Sequence, residues 1–289
     1  MLLDEALKSA GLLKYFFKIL SLFILRNILG NNVSFISITN QESDAIKKYF
    51  PKLYQGQIPN KIPFEIYEQN FTNKNKDIVY FGRIHPHKNL ELLINSFLSA
   101  NLDEKWNLKI YGIKDDQNYY QKLMNTIDGK KNIQILEPIF GKEKQKVIAS
   151  SWANILVSKS EVLSLSILES SYFGLPTIAN EEIELSNYSN LVYPVRNSLN
   201  SIKEKIKEIT SWTDDYQRNK SNEIKNKFKE KLNLEDTKKS YQKYYSDIKS
   251  EEIIKDEIFP FLQKFITLET FIFILISTVY TFNLMFSSL

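Results

Sequence analysis

An α/β domain with one doubly wound parallel sheet is what this sequence predicts, and three observations carry the prediction. Between residues 77 and 180, five short runs rich in Ile, Val, Leu, Tyr and Phe alternate with four stretches whose apolar residues recur every three or four positions. Strand, helix, strand repeated at that rhythm gives a parallel sheet covered on both faces. Stop and start signals agree, since Ser164 stands where a helix cap belongs and Gly174-Leu175-Pro176 ends the segment that follows.

The elements follow in order. Residues 12–29 form one long apolar and basic helix, residues 33–39 read as a strand, and residues 41–50 as a helix. Strands are expected at 77–82, 107–112, 132–136, 154–158 and 176–180, with helices at 88–100, 116–128, 141–151 and 164–173. From residue 199 to about 249 the chain is helical and strongly charged, with Ile202, Ile206, Ile209, Phe228, Leu232, Tyr241 and Tyr244 at helical spacing. Its interleaved Lys and Glu read as a solvated face without chemistry. Fewer than the roughly one hundred residues that a second doubly wound domain needs precede residue 61. The expected division is therefore 1–60, a remnant of another domain with its linker; 61–210, the Rossmann-like domain; 211–250, charged helices; and 251–289, a hydrophobic tail.

Composition excludes several classes. A net charge of +4 from 38 basic and 34 acidic residues is mild and interleaved, which leaves no nucleic-acid footprint. Without cysteine there is no disulfide framework, thiolate metal site or cysteine nucleophile, and His85 and His87 alone are poor material for a metal cage, so no metal is expected. No secretory leader is read at the start, where a basic residue and a cleavage site are lacking. The composition, rich in Lys, Asn, Ile, Phe and Tyr, suits an AT-rich bacterial genome, and a cytoplasmic chain is expected. Two segments bring in the membrane: residues 270–289 are free of charge and long enough to span as a helix, and the 12–29 helix has an apolar face beside Lys14, Lys18 and Arg26. Each reads equally well as a packing helix, so membrane association at the inner face stays open.

The chemistry concentrates in two places. Gly82-Arg83 and Lys88 follow the first strand of the 61–210 region, and Glu161 and Glu169, with seven residues between them, bracket the start of the 164–173 helix. Taken singly, Gly-Arg after a strand is a solvated cation and paired glutamates are surface residues. At the carboxyl ends of parallel strands, however, two carboxylates can hold the hydroxyls of a sugar and a ribose while Arg and Lys hold a diphosphate. Together they fit a nucleotide-sugar.

At this point a family resemblance enters. The segment Phe81-Gly82-Arg83-Ile84-His85-Pro86-His87-Lys88-Asn89 resembles the donor-phosphate segment of the retaining glycosyltransferases with the GT-B double Rossmann-like fold (group 1). The run from Ser160-Glu161 to Glu169, with Gly174-Leu175-Pro176-Thr177-Ile178, is similar to the paired-glutamate motif of that family. Ile58-Pro59-Asn60 resembles the interdomain linker, and the order of all these pieces matches over residues 33–248. The chain departs from the pattern at Val162 and Ser164, where glycine is usual, and at Leu163, where an aromatic is usual.

The resemblance implies roles. Arg83 and Lys88 would bind the donor diphosphate and neutralise its charge as the sugar leaves, with Gly82 beside them among the donor-binding residues. Glu169 would hold the ribose hydroxyls, Glu161 would orient the transferred sugar near its anomeric carbon, and the backbone of Leu163, Ser164 and Leu165 would face sugar and phosphate. The donor would be a nucleoside-diphosphate sugar and the acceptor a glycan or lipid-linked glycan, in retaining transfer for envelope polysaccharide synthesis. No metal or other cofactor is implied. The acceptor domain would be largely missing, so a partner chain supplying it in a split enzyme, or an inactive truncated product, are the alternatives.

Overall fold

The computed structural model describes residues 35–52, 54–58, 74–159, 161, 164–183, 189–231 and 239–243. Expectations for the 12–29 helix, Val162, Leu163, the linker and the tail at 251–289 lie outside the described residues. Two compact units divide at Ser240, and every element below belongs to the first.

A small βαβ unit comes first: β1 (Phe35–Ser37), helix α1 (Asn40–Tyr49) and β2 (Tyr54–Gln57), the strands parallel. Thr39 caps α1 by accepting from the Glu42 amide, and Glu42 accepts in return from the Ile38 amide, 2.8 Å away.

The main sheet has six parallel strands in the order β5-β4-β3-β6-β7-β8: β3 (Asp77–Phe81), β4 (Asn107–Tyr111), β5 (Ile133–Leu136), β6 (Ala153–Leu156), β7 (Thr177–Asn180) and β8 (Val192–Val195). Helices α2 (Leu90–Ser99), α3 (Gln117–Ile127), α4 (Gly141–Ser150), α5 (Leu165–Tyr172), α6 (Leu199–Thr210) and α7 (Asp214–Lys231) cover it. β3 is buried on both faces, and its side chains divide accordingly. Ile78 and Tyr80 enter the larger core with Leu93, Ile94, Ile202 and Ile206, whereas Val79 and Phe81 join Ile148, Ala149, Phe173 and Leu175. That split is the two-residue period of a strand read out as two hydrophobic layers.

The five strands and four helices expected between residues 77 and 180 are present, with ends shifted by one or two residues. β2 and β8 are the strands the apolar pattern missed. Tyr54-Gln-Gly-Gln57 is too polar to stand out, and Pro194 argues against a strand; it is accommodated because β8 is at the sheet edge, with β7 on one side alone. The helix expected from residue 88 begins instead at Leu90, because Asn89 takes a left-handed conformation (φ 56°) between a 3₁₀ turn at Pro86–Lys88 and α2.

Helices α6 and α7 are tied to the back of the sheet. Trp152 is fully buried, donates its indole N–H to the Ile209 carbonyl at 2.9 Å, and meets Trp106 edge-on with centroids 5.4 Å apart. The Lys76 ammonium lies 3.3 Å from the Trp152 ring centroid and pairs with Asp214 at 2.6 Å. Both tryptophans are core residues.

Where α5 ends, Gly174 adopts φ 71°, and a Cβ built there would lie 2.4 Å from the Ser221 carbonyl of α7. Gly129 has nearly the same φ, 70°, with open space around it. Gly129→Ala should therefore cost about 1 kcal/mol for the left-handed backbone alone. Gly174→Ala should cost roughly 3 kcal/mol, because α7 must also move. Urea denaturation of the two variants checks this: equal losses would mean that the α5–α7 contact yields freely.

Candidate functional site

β3 leads to β4 and β5 on one side, while β6 leads to β7 and β8 on the other, so the strand order reverses between β3 and β6. Beyond the carboxyl ends of such a pair the two following loops diverge and leave a crevice. A cavity of about 330 Å³ lies here, and Gly82, Arg83, Lys88, Glu161, Ser164 and Leu165 are among the residues that line it.

The floor depends on close backbone approach. A Cβ on Gly112 would lie 2.3 Å from the Gly82 carbonyl, and one on Gly82 would lie 2.5 Å from the Tyr80 hydroxyl. With both residues bare, the loops remain paired beyond the strands, as Ile84 donates its N–H to the Ile113 carbonyl at 2.8 Å. Tyr80 donates its hydroxyl to the Arg83 carbonyl at 3.0 Å, which fixes the turn carrying Arg83, and burial pushes the Tyr80 phenol well above its ordinary range.

Lys88 is placed by the 3₁₀ turn, whose start is capped by the His85 ring accepting from the His87 amide. The two loops are then joined directly: the Lys159 amide donates to the His87 carbonyl at 2.9 Å. That bond brings the Lys88 ammonium onto Glu161 Oε1, an ion pair with both side chains about 15% exposed (15% and 16%). Ser158 donates to the same carboxylate oxygen at 2.9 Å, and the Ser158 carbonyl is held in turn by the Asn180 side chain at 3.0 Å. Removing one member of so enclosed a pair costs on the order of 3 kcal/mol, because the other charge is stranded. His85 and His87 stack at 5.6 Å beside this site. Burial lowers the His87 pKa, with His85, Lys159, Lys88 and Arg83 adding to it. His87 is accordingly a neutral ring in a cationic neighbourhood.

Arg83 points elsewhere, pairing through Nη1 with Asp115 at 2.8 Å, and both side chains are well exposed. Ser164 occupies the N-cap position of α5, yet its hydroxyl makes no bond to the helix backbone and instead meets the Ser166 hydroxyl at 3.0 Å. Position was legible in the sequence; the hydroxyl's partner was not.

Glu169 is buried on α5 and does not line the cavity; it forms an ion pair with Lys144 of α4, which does. Burial raises the carboxyl pKa while Lys144 opposes the rise. Besides Lys144, sequence reasoning missed the apolar rim, where Phe140 is 68% and Ile113 52% exposed. Exposed aromatics outside a motif carry no sequence signal, and Lys144 is one of three lysines in Gly141-Lys-Glu-Lys-Gln-Lys146.

The glycosyl transferases group 1 family model matches residues 62–227, more than half of the chain, and the chain belongs to that family. No curated protein matches it. Among solved structures it is similar to a glycosyltransferase from Rickettsia africae (TM-score 0.65, 13% identity, 80% of this chain and 67% of that one). HepE from Anabaena in complex with UDP and glucose superposes with a TM-score of 0.63 at 13% identity, over 78% of this chain and 66% of that one. A variant of S. aureus TarM, bound to fondaparinux, α-GlcNAc-glycerol and UDP, gives 0.62 at 19%, over 76% of this chain and 45% of that one. These likenesses establish a shared fold, and the chain spans from under half to two thirds of the length of those proteins.

Asp115 competes with any anion for Arg83. Asp115→Asn should tighten binding of inorganic pyrophosphate by about two- to fivefold, the value of an exposed ion pair. Unchanged affinity in calorimetric titration would show that Arg83 does not reach the anion.

Proposed function

We propose that this chain binds the donor in a glycosyltransferase that moves a sugar from a nucleoside diphosphate to a glycan or lipid-linked acceptor with retention of anomeric configuration, in cell-envelope polysaccharide synthesis. The observation that carries the reading is Lys88 and Glu161 meeting in the crevice where strand order reverses, with Arg83 on the same wall. The UDP and glucose bound by HepE, and the UDP bound by TarM, support a nucleoside diphosphate sugar as ligand.

In the proposed complex both cations change partner. Lys88 leaves Glu161 and Arg83 leaves Asp115 for the diphosphate oxygens, Arg83 gripping two oxygens and Lys88 acting as a mobile point charge. Glu161, released, accepts from hydroxyls of the transferred sugar and orients its anomeric carbon. As the bond from that carbon to the diphosphate oxygen breaks, the electron pair goes to the diphosphate, and the two cations stabilise the growing charge without a metal ion. The acceptor hydroxyl then bonds to the anomeric carbon from the face the diphosphate is leaving and passes its proton to the departing diphosphate oxygen. Ser164 and Leu165 offer backbone amides at the start of α5, where an anion is favoured, and the same role expected of Leu163 falls outside the described residues. Glu169 takes the ribose hydroxyls. Acceptor binding belongs to a second domain, from a partner chain in the split-enzyme version of this reading.

Arg83→Ala and Lys88→Ala should each abolish binding of UDP-, GDP- and ADP-sugars while leaving the far-UV circular dichroism unchanged, and Arg83→Lys should not restore it. A nucleotide-sugar bound normally by either alanine variant would remove the phosphate assignment.

A further inference from the structure

We infer that Lys144 is a positioning residue of the donor site: by pairing with Glu169 at the cavity wall, it keeps that carboxylate available to the ribose diol and so makes the site select ribonucleotides over deoxyribonucleotides. The inference rests on the donor reading above and adds to it a residue outside the motifs. Three observations converge. Lys144 lines the cavity and is 20% exposed, while Glu169, 7% exposed, lies behind it and off the lining, so a diol at this wall meets the ion pair rather than an isolated carboxylate. The lysine is held in place, with its ammonium 5.3 Å from the Phe81 ring centroid and Phe81 stacked on Tyr111 at 5.4 Å. Finally, Lys144 is the one cation acting on Glu169 among the described residues. Among the described residues, Lys225 of α7 lies against Gly174 at the end of α5, and Lys74, which donates to the Ala149 carbonyl of α4 at 2.5 Å, faces Lys225. Tyr111 of β4, on the opposite side, is a phenol that burial keeps neutral.

A buried carboxylate without its counter-charge takes up a proton, and the neutral acid is a weaker acceptor for two hydroxyls. Lys144 therefore acts through Glu169. Its loss should affect the ribose end of a ligand and spare the phosphate end.

The test uses the full chain, Lys144→Met, which keeps the stem on Phe81 and removes the charge, and Lys144→Arg. UDP, GDP and ADP and their 2′-deoxy forms are titrated calorimetrically across pH. The Glu169 carboxyl is followed without ligand by carbon NMR, assigned with Glu169→Gln. The wild type should prefer the ribose form of its nucleotide by roughly tenfold, the value of a hydrogen bond to a charged group. In Lys144→Met the Glu169 carboxyl should titrate at higher pH, and the preference should fall to about twofold at neutral pH and return as pH rises through the new carboxyl pKa, with Lys144→Arg close to wild type. An unmoved carboxyl titration would overturn the inference alone and leave the donor reading standing. Equal weakening of ribose and deoxyribose forms at every pH would place Lys144 on another part of the ligand and also overturn it. A wild-type chain that bound none of the nucleotides would overturn the donor reading and this role together, whatever the carboxyl does.

Discussion

Among the described residues, one backbone hydrogen bond joins the two loops of this site. The Lys159 amide, after β6, donates to the His87 carbonyl, after β3, across the point where strand order reverses. A doubly wound sheet sends those loops apart, and without a tie Lys88 and Glu161 would sit on opposite lips of an open crevice. With it, two oppositely charged side chains about 85% enclosed are held in contact. The rest of the site is built outward from that pair: Ser158 behind Glu161, Asn180 behind Ser158, and the capped 3₁₀ turn behind Lys88.

The site is internally neutralised. Each cation that the donor reading needs already holds a carboxylate: Lys88 with Glu161, Arg83 with Asp115, and Lys144 with Glu169. Such pairing lowers the cost of keeping cations partly out of water, and it sets a threshold that a ligand must exceed. A diphosphate brings more negative charge than a single carboxylate and can exceed it, whereas a monoanion gains little by the exchange. In the donor reading, this arrangement selects by charge before any sugar or base is read.

Legibility in the sequence followed physical cause. Strands buried on both faces, such as Asp77–Phe81 and Ala153–Leu156, announce themselves because burial demands apolar side chains. The edge strand Val192–Val195 did not, because an edge tolerates Pro194. Within the site, Arg83, Lys88, Glu161 and Ser164 were found through ordered motifs, and the structure brings them to one cavity. Glu169 was found too, but its burial behind Lys144 was not legible: a lysine in a run of lysines looks solvated until the fold shows which one faces inward. Ser164 illustrates the converse, where a capping position was read correctly and the hydroxyl found Ser166 instead of the helix.

Amide chemical-shift mapping of the chain titrated with nucleoside diphosphates tests the central claim most directly, because it locates a ligand without presuming a reaction. The account predicts that one nucleotide shifts the amides of Gly82, Arg83 and Lys88, of Ile113 and Phe140 at the rim, and of Ser164 to Ser166 at the start of α5, as a single saturable set. Shifts confined to other faces of the sheet, or none in a folded chain, would contradict a donor site at the β3–β6 crevice.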